Sequence, residues 1–239
     1  VLIAYAVPQR NYWSLDSLSA AEAQALLASA SALKHARRGA RPLAGKHLAV
    51  LCEAGPSTWA QDFGEAARAL GATATLLRPS ASRIDDIDEA RRAAPMLGRL
   101  YDGIVCDGLD RELTLELARG AAVPVFNAVV ADGQPIRLFA QAMTMCELSG
   151  KPLAHIVLCV GGDPHLELPA AWARMAALTG IQLRHGAEGD FVLDAQSTAQ
   201  GLAVLSGAGV GQAAGEPIEI RAQANHSFVV QALLAATLH

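Results

Sequence analysis

Residues 47–77, HLAVLCEAGPSTWAQDFGEAARALGATATLL, decide the fold class of this chain. His47–Cys52 is a short apolar run that reads as a strand. Glu53–Thr58 carries the Gly, Pro and Ser of a turn. Trp59–Leu70 reads as a helix closed by Gly71. Thr73–Leu77 is a second short run of the same kind as the first. Strand, helix and strand in this order predict a parallel pair, because a parallel connection needs a crossover of helical length.

The pattern continues on both sides. Upstream, Ser19-Ala-Ala-Glu22 is a capping box that opens a helix running to about Arg38. Arg41-Pro42 and Gly45 break it. Downstream, Asp85–Tyr101 reads as a helix interrupted by Pro95. Gly103–Cys106 is a strand, Arg111–Arg119 a helix closed by Gly120, and Val123–Asn127 a strand. Pro135–Leu148 is a helix with Pro in its first turn. After the turn-rich Ser149-Gly150-Lys151-Pro152 the alternation restarts. His155–Val160 is a strand, Leu168–Leu178 a helix, Ile181–Arg184 a strand and Phe191–Leu193 a short apolar run. Ala195–Leu205 and Phe228–Leu238 read as helices. Alternating strands and helices predict an α/β fold, with parallel sheets covered on both faces.

Composition narrows the function classes. The chain has 239 residues, 52% hydrophobic and 18% charged, with a formal net charge of −4. That supports a buried core and argues against disorder. Acids and bases are interspersed, so no basic face for nucleic acid is expected. The four cysteines, Cys52, Cys106, Cys146 and Cys159, form no C-x-x-C pair, and the seven histidines form no H-x-H or H-x-x-x-H cluster. Neither a metal site nor a cofactor is expected. Val1–Val7 is apolar but too short to span a bilayer, and no basic segment precedes it to support a signal peptide. The chain is therefore expected to have no membrane partner and to be cytoplasmic.

Several segments in order carry a family resemblance. They are LAGKHLAVL at 43–51, the loop Glu53–Gln61, LGRLYDGIV at 97–105 and VPVFNAVVADGQPIRLFAQAMTMCE at 123–147. Together they resemble the aspartate/ornithine carbamoyltransferase family, on the ornithine carbamoyltransferase side, and 124–147 aligns without a gap around its H-P-x-Q motif. The resemblance implies two Rossmann-like domains with parallel sheets flanked by helices, the second reduced. The first, carbamoyl-phosphate-binding-like, is placed at 1–149, with a C-terminal helix at 224–239 packing back on it. The second, amino-acid-binding-like, is placed at 150–223. A homotrimer is also implied.

The family's chemistry sets demands that this sequence departs from. A dianionic donor needs a helix N-terminus and bidentate arginines, and its carbonyl needs hydrogen-bond donors. The family's S-T-R-T-R loop corresponds to Glu53–Gln61, where Ser57 and Thr58 remain as anion-binding candidates and Trp59 stands in an arginine's place. A further family arginine falls on Asp107. In H-P-x-Q the His is Gln134 and the Gln is Arg137, both kept as candidates for binding an anion or substrate, and an acid later in that helix is Gln141. Gly162-Asp163 resembles the family's G-D turn, so Asp163 is a candidate too, but the substrate-gripping Asn is Leu166. No H-C-L-P or S-M-G signature is found. Charge-assisted hydrogen bonds contribute about 1.5–3 kcal/mol each. Three missing arginines thus remove roughly 5–9 kcal/mol, or about 10³–10⁶ in affinity.

Each candidate has a plainer structural reading. Ser57 and Thr58 are favoured at a helix start for capping alone. Trp59 could be packed core, Arg137 could pair internally with Asp107 or Asp132, and Gln134 could be a satisfied structural amide. Gly207–Ala214 contains G-x-G-x-x-A, but Pro217 and the lack of a later acid read it as a loop. Asp163-Pro-His165 has no adjacent nucleophile. No catalytic residue is assigned.

The expectation is a carbamoyltransferase-like protein without carbamoyl transfer activity, acting as a binding or scaffolding subunit. It would be a homotrimer or associate with another metabolic enzyme, with a small anion or amino acid as a possible ligand. The alternative is a divergent active transferase of the same type that uses a different anionic donor or amino-acid substrate.

Overall fold

The computed structural model describes residues 15, 18–36, 41–53, 55–78, 84, 86–127, 135–161, 167–186, 188–194, 204–207 and 218–238. The elements are α1 (Ala20–His35), β1 (His47–Cys52), α2 (Thr58–Ala69), β2 (Thr73–Leu77), α3 (Ile87–Leu100), β3 (Gly103–Asp107), α4 (Arg111–Gly120) and β4 (Val125–Asn127). They continue with α5 (Pro135–Ser149), β5 (Val157–Gly161), α6 (Glu167–Thr179), β6 (Gln182–His185), β7 (Phe191–Asp194), β8 (Val204–Gly207) and α7 (Ile218–Thr237).

Local chemistry starts these helices where the sequence places them. Ser19 and Glu22 close the capping box on α1: the Ser19 N–H and hydroxyl both donate to Glu22 Oε2 at 2.7 Å. Asp86 caps α3 by accepting from the Glu89 N–H at 2.8 Å. Asp110 caps α4 in the same way through the Leu113 N–H. Each removes an orphan donor that would otherwise lack a partner.

The first sheet is wholly parallel in the order β2-β1-β3-β4. β1 and β3 are its buried centre, and β1 is buried from Leu48 to Cys52. α3 and α4 pack on it through small side chains: Ala90, Ala94, Ala118 and Ala121 join Ala49, Leu51, Ile104 and Cys106 in one core cluster. The approach is closest at Gly98, where a Cβ would stand 1.7 Å from the Ala121 carbonyl oxygen. Pro95 does not interrupt α3 as the sequence suggests; the helix runs through it. A proline removes one backbone hydrogen bond, and burial of Ala90, Ala93, Ala94 and Leu97 on either side holds the helix together.

The second sheet has the order β6-β5-β7-β8. β5 pairs in parallel with β6 and β7, whereas β8 runs antiparallel to β7, Asp194 opposite Val204 and Phe191 opposite Gly207. The fold class stands, with β8 as an antiparallel edge on an otherwise parallel sheet. One expectation is corrected: Val204 and Leu205 belong to a strand rather than to a helix at 195–205; residues 195–203 lie outside the described residues. Helical composition there is overridden by pairing with β7, because tertiary context outweighs local propensity. α7 also starts earlier than read, at Ile218, directly after Pro217.

By proximity the chain divides into one unit of 1–13, 35–130 and 230–239, and another of 14–34 and 131–229. This grouping sets α1 and α5 with the second sheet. Within the second unit, Lys34 of α1 donates to both Glu147 oxygens at 2.8 Å and to Asn225 Oδ1 at 2.7 Å. Asn225, fully buried on α7, donates to Thr144 Oγ1 of α5 at 2.8 Å. Among the described residues no helix is long and apolar enough to cross a membrane.

Candidate functional site

In a doubly wound parallel sheet, the crevice for ligands opens at the carboxyl ends of the strands where successive crossovers leave to opposite sides. Here that point lies between β1 and β3, since β1 leads to β2 on one side and β3 leads to β4 on the other. The two strands end level with each other, Cys52 opposite Asp107. A cavity of about 630 Å³ opens there, lined by Cys52, Glu53, Ser57, Asp107 and Asp110 among others.

Ser57 is the N-cap of α2, with φ −60° and ψ 162° and its hydroxyl accepting from the Ala60 N–H at 3.2 Å. The plain capping role is therefore filled. The same residue is also held from across the sheet. Its N–H donates to Asp107 Oδ2 at 2.6 Å and its hydroxyl donates to Asp107 Oδ1 at 2.8 Å. Both oxygens of the carboxylate are thus used on one residue at the positive end of a helix, where an anion is favoured. The sequence reading placed Asp107 where the family has an arginine. The structure adds that it engages both Ser57 donors. The signal that would have found this is the pairing of β1 with β3, which brings the first loop and the end of β3 to one place.

The cavity carries the charge of Glu53, Asp107 and Asp110, and no lysine or arginine is among its described lining residues. Burial pushes the Cys52 thiol up; the Gly55 N–H pulls the other way, and the Asp107 charge adds to the rise. A thiol in that environment stays protonated and is a poor nucleophile. Among the described residues no group of three or more His, Cys, Asp or Glu side chains could hold a metal.

The other candidates divide clearly. Thr58 is exposed at the first turn of α2. Trp59 is half-buried and packs on Phe63 with ring centroids 4.2 Å apart, and Phe63 meets Phe126 of β4 at 5.3 Å. Offset aromatic contacts of this kind are packing interactions. Gln61 folds back to donate to the Pro56 carbonyl at 2.9 Å. Arg137 is half-buried in the first turn of α5 and already engages a neighbour. Gln141 on the same helix is buried. Ser57, Thr58, Trp59 and Asp107 fall in the first unit and Arg137 in the second. Gln134, Asp163 and Leu166 lie outside the described residues, as does the segment 208–217 that follows Gly207.

Comparison with known proteins identifies this frame. The family profile described as aspartate/ornithine carbamoyltransferase, carbamoyl-P binding domain, matches residues 10–147. Ornithine carbamoyltransferase from Thermus thermophilus is similar at 28% identity, over 79% of this chain and 62% of that one, with a TM-score of 0.62. Ornithine carbamoyltransferase from Gloeobacter violaceus is 22% identical over 98% and 100% of the two chains, with a TM-score of 0.68. Aspartate transcarbamoylase from Trypanosoma cruzi, solved with carbamoyl aspartate and phosphate, is 16% identical over 97% and 96%, with a TM-score of 0.69. The latter two carry the fold alone, while the profile spans more than half the sequence and includes both the α2 loop and Asp107. On that match the chain belongs to the aspartate/ornithine carbamoyltransferase family.

Proposed function

We propose that this protein is a carbamoyltransferase-like subunit without carbamoyl transfer activity, whose role is binding or scaffolding. The observation that carries the reading is the seat of Asp107. Where a donor phosphate would need cations and free N–H groups, a carboxylate already takes the Ser57 N–H and hydroxyl. Two more carboxylates, Glu53 and Asp110, face the same cavity. Like charges disfavour one another, the less so the more water screens them. A dianion entering this cavity meets those carboxylates and finds both Ser57 donors engaged. A homotrimer, or association with another metabolic enzyme, belongs to the same proposal.

The test is a direct assay with carbamoyl phosphate and either ornithine or aspartate, run beside an active ornithine carbamoyltransferase as control. No product above the uncatalysed background is expected. Turnover that scales with protein concentration overturns the reading. Light scattering on the eluting protein tests the trimer separately. The alternative, a divergent active transferase of the same type, predicts turnover with a different anionic donor or amino acid in the same assay.

A further inference from the structure

The geometry points to a second, smaller ligand site in the first unit, before the starts of β1 and β3, built for a free amino acid with an aliphatic side chain. It lies at the opposite ends of these strands from the cavity beside Asp107. It does not depend on whether transfer activity is absent. The cavity measures about 240 Å³. That is below the roughly 300–1,000 Å³ of sites for drug-sized ligands and suits a small metabolite. Its polar lining includes Lys46, Arg99, Tyr101, Asp102 and Thr237.

Both signs of charge are offered there. The negative side is largely backbone. α3 brings its last turn to the cavity, and Tyr101 leaves that helix extended, at φ −130° and ψ 148°. No left-handed residue folds an N–H back over the final carbonyls, as helix ends commonly arrange. The next N–H, that of Asp102, goes to the His47 carbonyl at 2.8 Å instead. α7 also ends at this cavity, through Thr237. Helix carboxyl ends favour a cation, and Asp102 adds a carboxylate, partly offset by Lys46 at 3.1 Å. The positive side is Arg99, exposed in the last turn of α3. Among the described residues its guanidinium has no ion-pair or hydrogen-bond partner. A guanidinium fork takes a carboxylate through two parallel bonds. A bare carboxylate would meet Arg99 but also face Asp102 and two helix carboxyl ends. A bare amine would meet those ends but also face Arg99 and Lys46. A zwitterion satisfies both sides at once. Leu100, 62% exposed, and Val123 line the same cavity and give an aliphatic side chain its contact.

The experiment follows backbone amide resonances of the full chain during titration with L-leucine at low ionic strength. Isocaproate and isoamylamine, which keep only its carboxylate or only its amine, are titrated in parallel. The amides of Tyr101, Asp102, Val123 and Thr237 report on this cavity, and those of Glu53, Ser57 and Asp110 on the other. L-Leucine is expected to shift the first set saturably and leave the second unmoved. Each half-ligand is expected to bind at least about tenfold more weakly, the worth of one charge-assisted contact. Arg99→Gln should weaken L-leucine by a similar factor and leave isoamylamine no weaker. No saturable shift with L-leucine overturns the inference. So does a half-ligand that binds as well as the amino acid, an unchanged response in Arg99→Gln, or shifts confined to the second set. If Arg99→Gln does not fold, the half-ligand comparison on the wild type decides alone. The transfer assay reads none of these outcomes, so the two claims fail separately.

Discussion

The carboxylate of Asp102 accepts the backbone N–H of His47 at 2.8 Å, and the Asp102 N–H donates back to the His47 carbonyl at 2.8 Å. Lys46 completes the grip with an ion pair to Asp102 at 3.1 Å. The second unit repeats the device. Asp190 accepts the Val157 N–H at 2.9 Å and pairs with Lys151 at 2.6 Å, and the Asp190 N–H donates to the Val157 carbonyl. In each unit an acid just before the third strand pins the start of the central one.

These two acids make stability depend on pH. Burial alone would raise the Asp102 carboxyl, but the His47 N–H and Lys46 outweigh it and hold it below the ordinary value of 3.8. Asp190 is held below the same value, chiefly by Lys151 and then by the Val157 N–H. The folded chain therefore binds fewer protons at these sites than the unfolded chain. Their contribution is complete above pH 3.8 and is lost as pH falls through the lower folded values. Urea midpoints measured from pH 6 down to pH 3 should fall less steeply in Asp102→Asn than in wild type. Parallel curves would remove Asp102 from the account.

Gly98 is set by contact rather than by backbone freedom. A methyl there would meet the Ala121 carbonyl oxygen at 1.7 Å, and backbone cannot swing aside as a side chain can. Gly98→Ala should destabilise by about 1–3 kcal/mol or more despite alanine's better helix propensity. A denaturation midpoint equal to or above wild type would show that α3 and α4 can part at little cost.

Thiol reagents should rank the cysteines by burial. Cys106 is fully buried, and desolvation pushes its thiol to about 12. At pH 8 only about one in 10⁴ of such thiols is ionised, before access is considered. Cys146 is half-buried and also pushed up, by burial and then by Glu147. Native protein should label at Cys146 ahead of Cys52, Cys106 and Cys159, with the three buried thiols released only on unfolding. Peptide mapping after timed alkylation reads the order.

Asn225 should matter more than the lysine it meets. It is fully buried and joins Lys34, Glu147 and Thr144. Asn225→Ala strands buried partners and should cost about 1–3 kcal/mol. The Lys34 side chain is 29% exposed. Its loss lets water reach the carboxylate, so Lys34→Ala should cost less. Equilibrium unfolding of the two variants gives the comparison, and a reversed order would contradict the burial argument.

What the sequence made legible was local. The capping box at Ser19–Glu22, the cap at Ser57 and the strand runs at 47–52, 73–77 and 103–106 depend on neighbours a few residues apart. That Glu53–Gln61 holds no arginine was legible too, since a missing side chain needs no structure to be noticed. The Asp107–Ser57 contact was not, because it joins residues separated by 50 positions and exists only once β1 and β3 pair. β8 escaped for the same reason: Val204–Gly207 has no strand signal strong enough to compete with its helical neighbours until β7 offers an edge. Pro95 misled in the other direction, its cost being real but small beside the packing of α3 on α4.

The reversed direction of β8 has a consequence for recognition. In a wholly parallel sheet every strand hands its next loop to the same rim, and those loops are the fingers that close on a ligand. β8 starts at the rim where β7 ends and finishes level with Phe191, at the opposite rim. The last strand of the second sheet thus ends away from the rim where its three parallel neighbours end.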